Sequence, residues 1–397
     1  MKPLILTLTL AFAQTLCAAD WPQFRGPNGD GIANDANLPI TLAPENVAWK
    51  IALPGRGLSC PIVVSGRVIV TCSSGPRQER LHVVCLNAAD GSVRWQRQFW
   101  ATGRTMCHDK TSVAASTPVS DGKRVVALFS SNDTVCLDLE GNLIWLRGLT
   151  RDYPNVSNSL GMAASPVWVD NTVVAQVEND SESYCVGLDP ETGRNRWRLN
   201  RPIGANWTSP VVMRDGPRTL VGLQSKAGVD AIEPATGKTV WSYTDGAATI
   251  PSSVSDGETI YIPSNGITAL RPSAGGQPSQ LWRNPQLGPA TASPIALGNR
   301  LFTLNAAGVL NCANTVDGAR LWQLRLKGPF SSTPVAAGKH LYCFGEKGHV
   351  QVVDTTAPEG KVVGELDLAE MILATPAVAD GAIYARSNVH LWKISKR

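Results

Sequence analysis

Apolar runs rich in valine, isoleucine and leucine recur along the whole chain, each cut short by glycine, asparagine or aspartate. The runs are too brief for helices and are bounded by turn residues, so they predict β-strands. Two signatures organise them. In the first, a small residue stands just before or near a proline, followed by an apolar residue, a Gly or Asp turn and a β-branched run. It occurs at Pro61 to Val70, Pro118 to Val126, Pro166 to Val174, Pro210 to Leu223, Pro294 to Leu304, Pro334 to Phe344 and Pro376 to Ala385, with a copy lacking the proline at Ser253 to Ile262. These segments predict paired strands A and B.

The second signature is an apolar strand, a polar turn ending in glycine, and a tryptophan four positions later. Gly91 leads to Trp95, Gly141 to Trp145, Gly193 to Trp197, Gly237 to Trp241 and Gly318 to Trp322. Gly275 and Gly276 precede Trp282 at looser spacing, and Gly360 leads to Gly364, where the aromatic is lost. These are strands C and D, joined by a hairpin whose glycine supplies the positive φ of a short turn. A repeat of about 40 to 50 residues fits a four-stranded propeller blade. Trp95, Trp145, Trp197, Trp241, Trp282 and Trp322 are expected to wedge between neighbouring blades, each N–H finding a backbone acceptor.

The last unit runs from Ala374 to Ile394 and supplies three strands. The missing outer strand is at the other end of the chain, Val47 to Ile51, which carries a further docking residue, Trp49, and sets it against Ile394. Completing the final blade in this way closes the ring. The fold class is therefore all-β, a single eight-bladed β-propeller of four-stranded antiparallel blades whose last blade is completed by an N-terminal strand. Residues 1–19 read as a leader, 20–46 as an extension packing on the propeller, and 47–397 as the propeller.

Composition agrees: charged residues are 17% while Gly (36) and Pro (27) are frequent, which suits short strands joined by tight turns. Lys2, the apolar run Leu4 to Leu16 and the small Ala18 and Ala19 form a secretory signal. The expected location is periplasmic or extracellular. The run is too short to span a bilayer, so no transmembrane segment is predicted. Gln14, Thr15 and Leu16 before Cys17 depart from a lipidation signal, and no lipid anchor is expected. A formal net charge of +4 gives no basic face for nucleic acid. Cys60, Cys72, Cys85, Cys107, Cys136, Cys185, Cys312 and Cys343 mostly sit singly in apolar strands, where thiols act as small hydrophobes.

Leu188, Asp189, Pro190, Glu191, Thr192, Gly193 and Trp197, echoed by Ile232, Glu233, Pro234, Ala235, Thr236, Gly237 and Trp241, resemble the tryptophan-docking repeats of the pyrroloquinoline quinone (PQQ) propellers. The opening run from Trp21 through Pro22, Gln23, Phe24, Arg25 and Gly26 to Gly31 is similar to that of secreted PQQ-like propellers of planctomycete-type bacteria. The resemblance implies a member of the quinoprotein-like, BamB-like superfamily and covers nearly all of the chain after the leader. It implies fold more strongly than activity, because one fold hosts many functions.

In a propeller the D-to-A connections and the B-to-C hairpins emerge on one face and the remaining turns on the other. The A-to-B and C-to-D turns are short and generic here. The D-to-A face receives Arg104, His108, Asp109 and Lys110 after blade one, and Arg151, Asp152, Tyr153, Asn155 and Asn158 after blade two. Glu178, Asn179 and Asp180 come from the hairpin of blade three, Asn206 and Trp207 follow it, and Arg56 can join the same rim. Loops on a rigid scaffold are where binding groups collect. These residues are the candidate ligand-binding set, for an envelope protein, a peptide or a polar small ligand, on a chain expected to be monomeric.

No catalytic residue and no metal ligand is assigned. The resemblance offers a PQQ-dependent dehydrogenase of alcohols or sugars, with PQQ and Ca²⁺, as the alternative. Such enzymes hold the quinone between a tryptophan and a disulfide of adjacent cysteines, but no two cysteines are adjacent in this chain. Cys107, His108 and Asp109 are consecutive and cannot readily face one ion. Nucleophilic hydrolysis lacks a Gly-x-Ser-x-Gly turn. A non-catalytic binding or scaffolding propeller is the expected function, and no cofactor is predicted.

Overall fold

The computed structural model describes residues 20–33, 37–157, 159–274 and 276–396. The expected leader, residues 1–19, lies outside them, and no helix among the described residues is long and apolar enough to cross a membrane. Eight antiparallel sheets form an eight-bladed propeller. Blade 1 comprises Ile62–Val64, Arg67–Ser74, Arg80–Asn87 and Val93–Trp100 in A-to-D order. The inner strands of blades 2 to 6 are Val119–Ser120, Val167–Val169, Val211–Asp215, Val254–Ser255 and Ile295–Leu297. Blade 7 runs from Val335–Ala337 out to Lys361–Asp367.

Burial explains the strand chemistry. The B and C strands of blade 1 are buried along almost their whole length, sandwiched between neighbouring blades, and so carry apolar runs, Val68–Val70 and Val83–Leu86, among a few buried polar residues such as Thr71 and His82. The outer strand Val93–Trp100 is mostly exposed and carries Arg94, Gln96, Arg97 and Gln98. The core is correspondingly divided into clusters that sit between blades.

The docking tryptophans lean onto the C-to-D turn of the next blade. Trp95 Nε1 donates to the Leu139 carbonyl at 2.9 Å, Trp145 to Pro190 at 3.0 Å, Trp197 to Pro234 at 2.8 Å and Trp282 to Thr315 at 2.8 Å. The repeated glycine has two duties at this contact. Gly193 has φ +69, and a Cβ on it would lie 2.6 Å from the Trp145 ring. Trp241 and Trp322 depart from the expectation: both are wedged, but their indole N–H groups find no partner among the described residues.

Blade 8 is Ala377–Ala379, Ala382–Arg386, His390–Ser395 and the N-terminal strand Val47–Ala52. The closing register is one step from the sequence reading: Val47 opposes Ile394, and Trp49 opposes Lys393 beyond an irregularity in the pairing. Arg386, fully buried, pins blade 8 to blade 1 by donating to Ser59 Oγ at 3.0 Å and the Thr71 carbonyl at 2.7 Å.

The stretch ahead of that strand is built into the propeller. Trp21 exchanges two backbone hydrogen bonds with Val63 of blade 1, the Pro22 carbonyl accepts from Ser120 of blade 2, and Ile32–Ala33 runs parallel to the inner strand of blade 7. Between them Arg25, buried and at φ +64, donates to the Ser253 carbonyl at 3.0 Å and the Pro294 carbonyl at 2.8 Å. Trp21–Ala33 thus spans the inner strands from blade 1 round to blade 7 and stops the central channel. The chain then passes blade 7 through buried Leu38 and Leu42, where the Tyr342 hydroxyl donates to the Pro39 carbonyl at 3.2 Å.

Candidate functional site

Above this plug the channel widens into a funnel of about 400 Å³ on the D-to-A face. Its lower wall repeats with the blades. The residue before each A-strand proline, or before Ser253 where blade 5 lacks the proline, is small: Cys60, Thr117, Ser165, Ser209, Ser252, Ser293, Thr333 and Thr375. Each backbone N–H donates to the hydroxyl of the next blade. Cys60 gives to Thr117, Thr117 to Ser165, Ser165 to Ser209, Ser209 to Ser252, Ser252 to Ser293, Ser293 to Thr333 and Thr333 to Thr375, all at 2.9–3.0 Å. At the remaining seam the Cys60 thiol points to the Pro376 carbonyl at 3.6 Å, and burial pushes that thiol up to about 12. These residues form a collar that stitches eight blades around the axis.

Phe24 of the plug reaches up into the floor of the funnel. Burial pulls the neighbouring Arg25 guanidinium down to about 10, against the opposing pull of Asp30. Higher on the wall stand Leu58, Leu160, Trp207, Ile250 and Leu373, with His108 and Lys110 on one side. Lys110 Nζ crosses to Glu346 Oε2 of blade 7 at 3.0 Å, and Ser331 Oγ donates to the other carboxylate oxygen at 2.7 Å. His108 Nδ1 accepts the Lys110 amide at 3.0 Å, which leaves Nε2 as the donor of the neutral ring. The cationic side of the funnel is therefore balanced by an acid.

The candidate residues divide. His108, Lys110 and Trp207 line the funnel. Arg56 donates to the Asp109 carbonyl at its rim. Arg104 turns to Ser157 Oγ at 3.0 Å, Asp152 pairs with Arg147, and Arg151 and Asn155 are exposed. Tyr153 is buried against Tyr184, ring centroids 4.0 Å apart, and accepts a hydrogen bond from Asn195 of the outer strand of blade 3, away from the axis. Asn158 lies outside the described residues.

Glu178 and Asn206 are buried by a partner the sequence reading left out, Arg201. Its Nε donates to Glu178 Oε1 at 2.6 Å, its Nη1 reaches Asp230, and Asn206 Nδ2 donates to Glu178 Oε2 at 2.9 Å. Burial pushes the Glu178 carboxyl above its ordinary value, opposed by the Arg201 charge and these hydrogen bonds. Asn179 is turned inward to hold its own hairpin through the Glu182 carbonyl at 2.7 Å, while Asp180 is exposed. The sequence reading missed Phe24, the collar and the apolar wall. The collar had a signal, the small residue before proline, which reads equally as strand punctuation.

The donor set does not fit PQQ with Ca²⁺. Among the described residues no three His, Cys, Asp or Glu side chains converge to hold a metal ion. The buried carboxylates of the D-to-A face are taken up by protein partners: Glu178 by Arg201, Asn206 and Gln176, Asp133 by Thr102 and Ser131, and Glu346 by Lys110 and Ser331. Cys107 takes a hydrogen bond from Gln78 at 3.2 Å, and the eight described cysteines are free thiols.

The family model described as outer membrane protein assembly factor BamB matches residues 40–186, 141–280 and 264–357. The BamB of Yersinia pestis is 24% identical over 201 residues, 50% of this chain and 46% of that protein; the BamB of Moranella endobia is 27% identical over 161 residues, 40% and 36%. The chain thus spans less than half the length of either curated relative. Among solved structures, BamB from Moraxella catarrhalis superposes with a TM-score of 0.61 at 17% identity, covering 88% of this chain and 98% of that one. A europium-containing methanol dehydrogenase gives 0.71 at 12% identity, covering 94% and 90%. These structural likenesses establish the propeller fold. With the matched segments running from residue 40 to residue 357, the chain belongs to the BamB family of PQQ-like-repeat β-propellers.

Proposed function

We propose that this protein is a non-catalytic binding propeller of the cell envelope, which takes its ligand or protein partner on the D-to-A face. The observation that carries the reading is the one-ended funnel: Trp21–Ala33 stops the channel, so the axial site opens only toward the loop-rich face. Exposed Met106, Ile203, Ile250 and Met371 stand on connections of that face and add apolar surface around the mouth. The BamB relatives support a partner-binding role in the envelope. No cofactor is part of the proposal: among the described residues no three acidic, histidine or cysteine side chains converge on an ion, and the acid beside the funnel, Glu346, is already paired with Lys110.

A photo-crosslinking residue placed at Met106, Ile203 or Ile250, and at Val316 on the opposite face, tests the proposal in an envelope extract. Adducts are expected from the first three positions. Adducts only from Val316 would overturn the assignment of the face. Dye-linked oxidation of an alcohol or sugar after adding PQQ and Ca²⁺ would overturn the non-catalytic reading.

A further inference from the structure

We infer that the funnel binds a neutral carbohydrate, with one sugar ring laid on Phe24 and its hydroxyl groups hydrogen-bonded to the collar. The inference rests on the funnel being a binding site and names the chemistry it selects. A serine or threonine hydroxyl has one donor and two acceptor positions. In the collar one acceptor position of each is taken by the N–H of the preceding blade, and the hydroxyls of Ser165, Ser209, Ser252, Ser293, Thr333 and Thr375 donate to no other described residue. Each of these side chains is more than nine-tenths buried, yet each lines the funnel.

Every such hydroxyl therefore still presents one donor and one acceptor to whatever fills the funnel. A sugar hydroxyl has the same dual character, so a ring of them satisfies a ring of sugar hydroxyls in either direction. A carboxylate or phosphate would use only the donors. The charge balance agrees: Lys110 is neutralised by Glu346, and His108 has its Nδ1 occupied. Among the described residues no unpaired charge on the funnel wall calls for an ionic ligand. Phe24 and Trp207 both line the funnel and bring to it the aromatic surface on which the C–H groups of a sugar pack. The volume, about 400 Å³, lies in the small-ligand range of roughly 300–1,000 Å³.

The test uses a panel of neutral mono-, di- and trisaccharides of glucose, galactose, mannose and N-acetylglucosamine. Uronic and sulfated sugars form one comparison arm and tripeptides another, with binding followed by calorimetry and by tryptophan fluorescence. A neutral saccharide is expected to bind saturably, with an affinity unchanged between low and physiological salt. Phe24→Leu removes the aromatic floor. The double change Ser252→Thr, Ser293→Thr keeps both hydroxyls and their N–H bonds while adding two methyl groups to the collar. Each variant is expected to fold, as read by thermal melting, and to bind about tenfold more weakly.

Binding confined to the anionic sugars or the tripeptides, binding indifferent to both variants, or no binding across the neutral panel would each overturn the carbohydrate assignment. None of these results touches the crosslinking from Met106, Ile203 and Ile250, so the wider proposal stands or falls separately.

Discussion

The Ile40 carbonyl oxygen occupies the space in which a side chain on residue 364 would begin: a Cβ built on Gly364 would lie 2.0 Å from it. Gly364 stands where the repeat elsewhere carries its docking tryptophan. The N-terminal stretch, on its way from the inner strand of blade 7 to the outer strand of blade 8, takes over the space with Leu38 and Leu42. Gly364→Ala should therefore cost about 1–3 kcal/mol through overpacking. Gly364→Trp, which restores the repeat pattern, should cost more. Urea unfolding measures both, and a Gly364→Trp protein at least as stable as the parent would show that this contact is not what excludes the ring.

The collar makes a second prediction. Ser165→Ala removes the acceptor of the buried Thr117 N–H, while Ser165→Thr keeps it. An orphaned buried donor costs about 1–3 kcal/mol, so the alanine variant should be destabilised by that amount and the threonine variant should stay near the parent. Equal losses for the two would assign the effect to packing rather than to the hydrogen bond.

These two sites also show what the sequence could and could not convey. Blade number and closure were legible because both signatures are local and recur. The plug was visible only as a resemblance, since its contacts are remote: Arg25 is 228 residues from the Ser253 carbonyl it holds. Counting polar residues in loops placed His108, Lys110 and Trp207 on the funnel. The same counting could not tell that Glu178 and Asn206 face a buried Arg201, or that Tyr153 turns outward onto Tyr184. Side-chain direction in a long loop is set by tertiary partners.

Trp197 and Trp241 occupy equivalent positions but differ in one hydrogen bond. Trp197 Nε1 donates to the Pro234 carbonyl at 2.8 Å, whereas the buried Trp241 Nε1 has no acceptor among the described residues. Trp197→Phe loses both ring volume and a satisfied donor, while Trp241→Phe loses volume and relieves an unsatisfied one. Trp241→Phe should therefore be the milder change by about 1 kcal/mol or more. Parallel urea melts decide it, and equal costs would indicate that Trp241 finds a water partner in solution.

Asp354 begins the C-to-D turn of blade 7, against which Trp322 packs at Gly360. Hydrogen bonds from Thr356, first from its hydroxyl at 2.7 Å and also from its amide at 2.9 Å, and the ammonium of Lys339 at 3.1 Å hold its carboxyl down at about 2, below the ordinary 3.8. A carboxyl depressed in the folded state contributes stability that is fully present above its unfolded value and is lost as the pH falls toward the folded one. The turn should therefore weaken between about pH 4 and pH 2, the window set by these two values. Asp354→Asn should lower stability at neutral pH and flatten the acid limb of the stability curve over that window. The effect should be small, since Lys339 is exposed and solvent screens the pair. Unfolding free energies measured across the window in parent and variant check it, and an acid limb unchanged in the asparagine variant would transfer the acid sensitivity to another carboxylate.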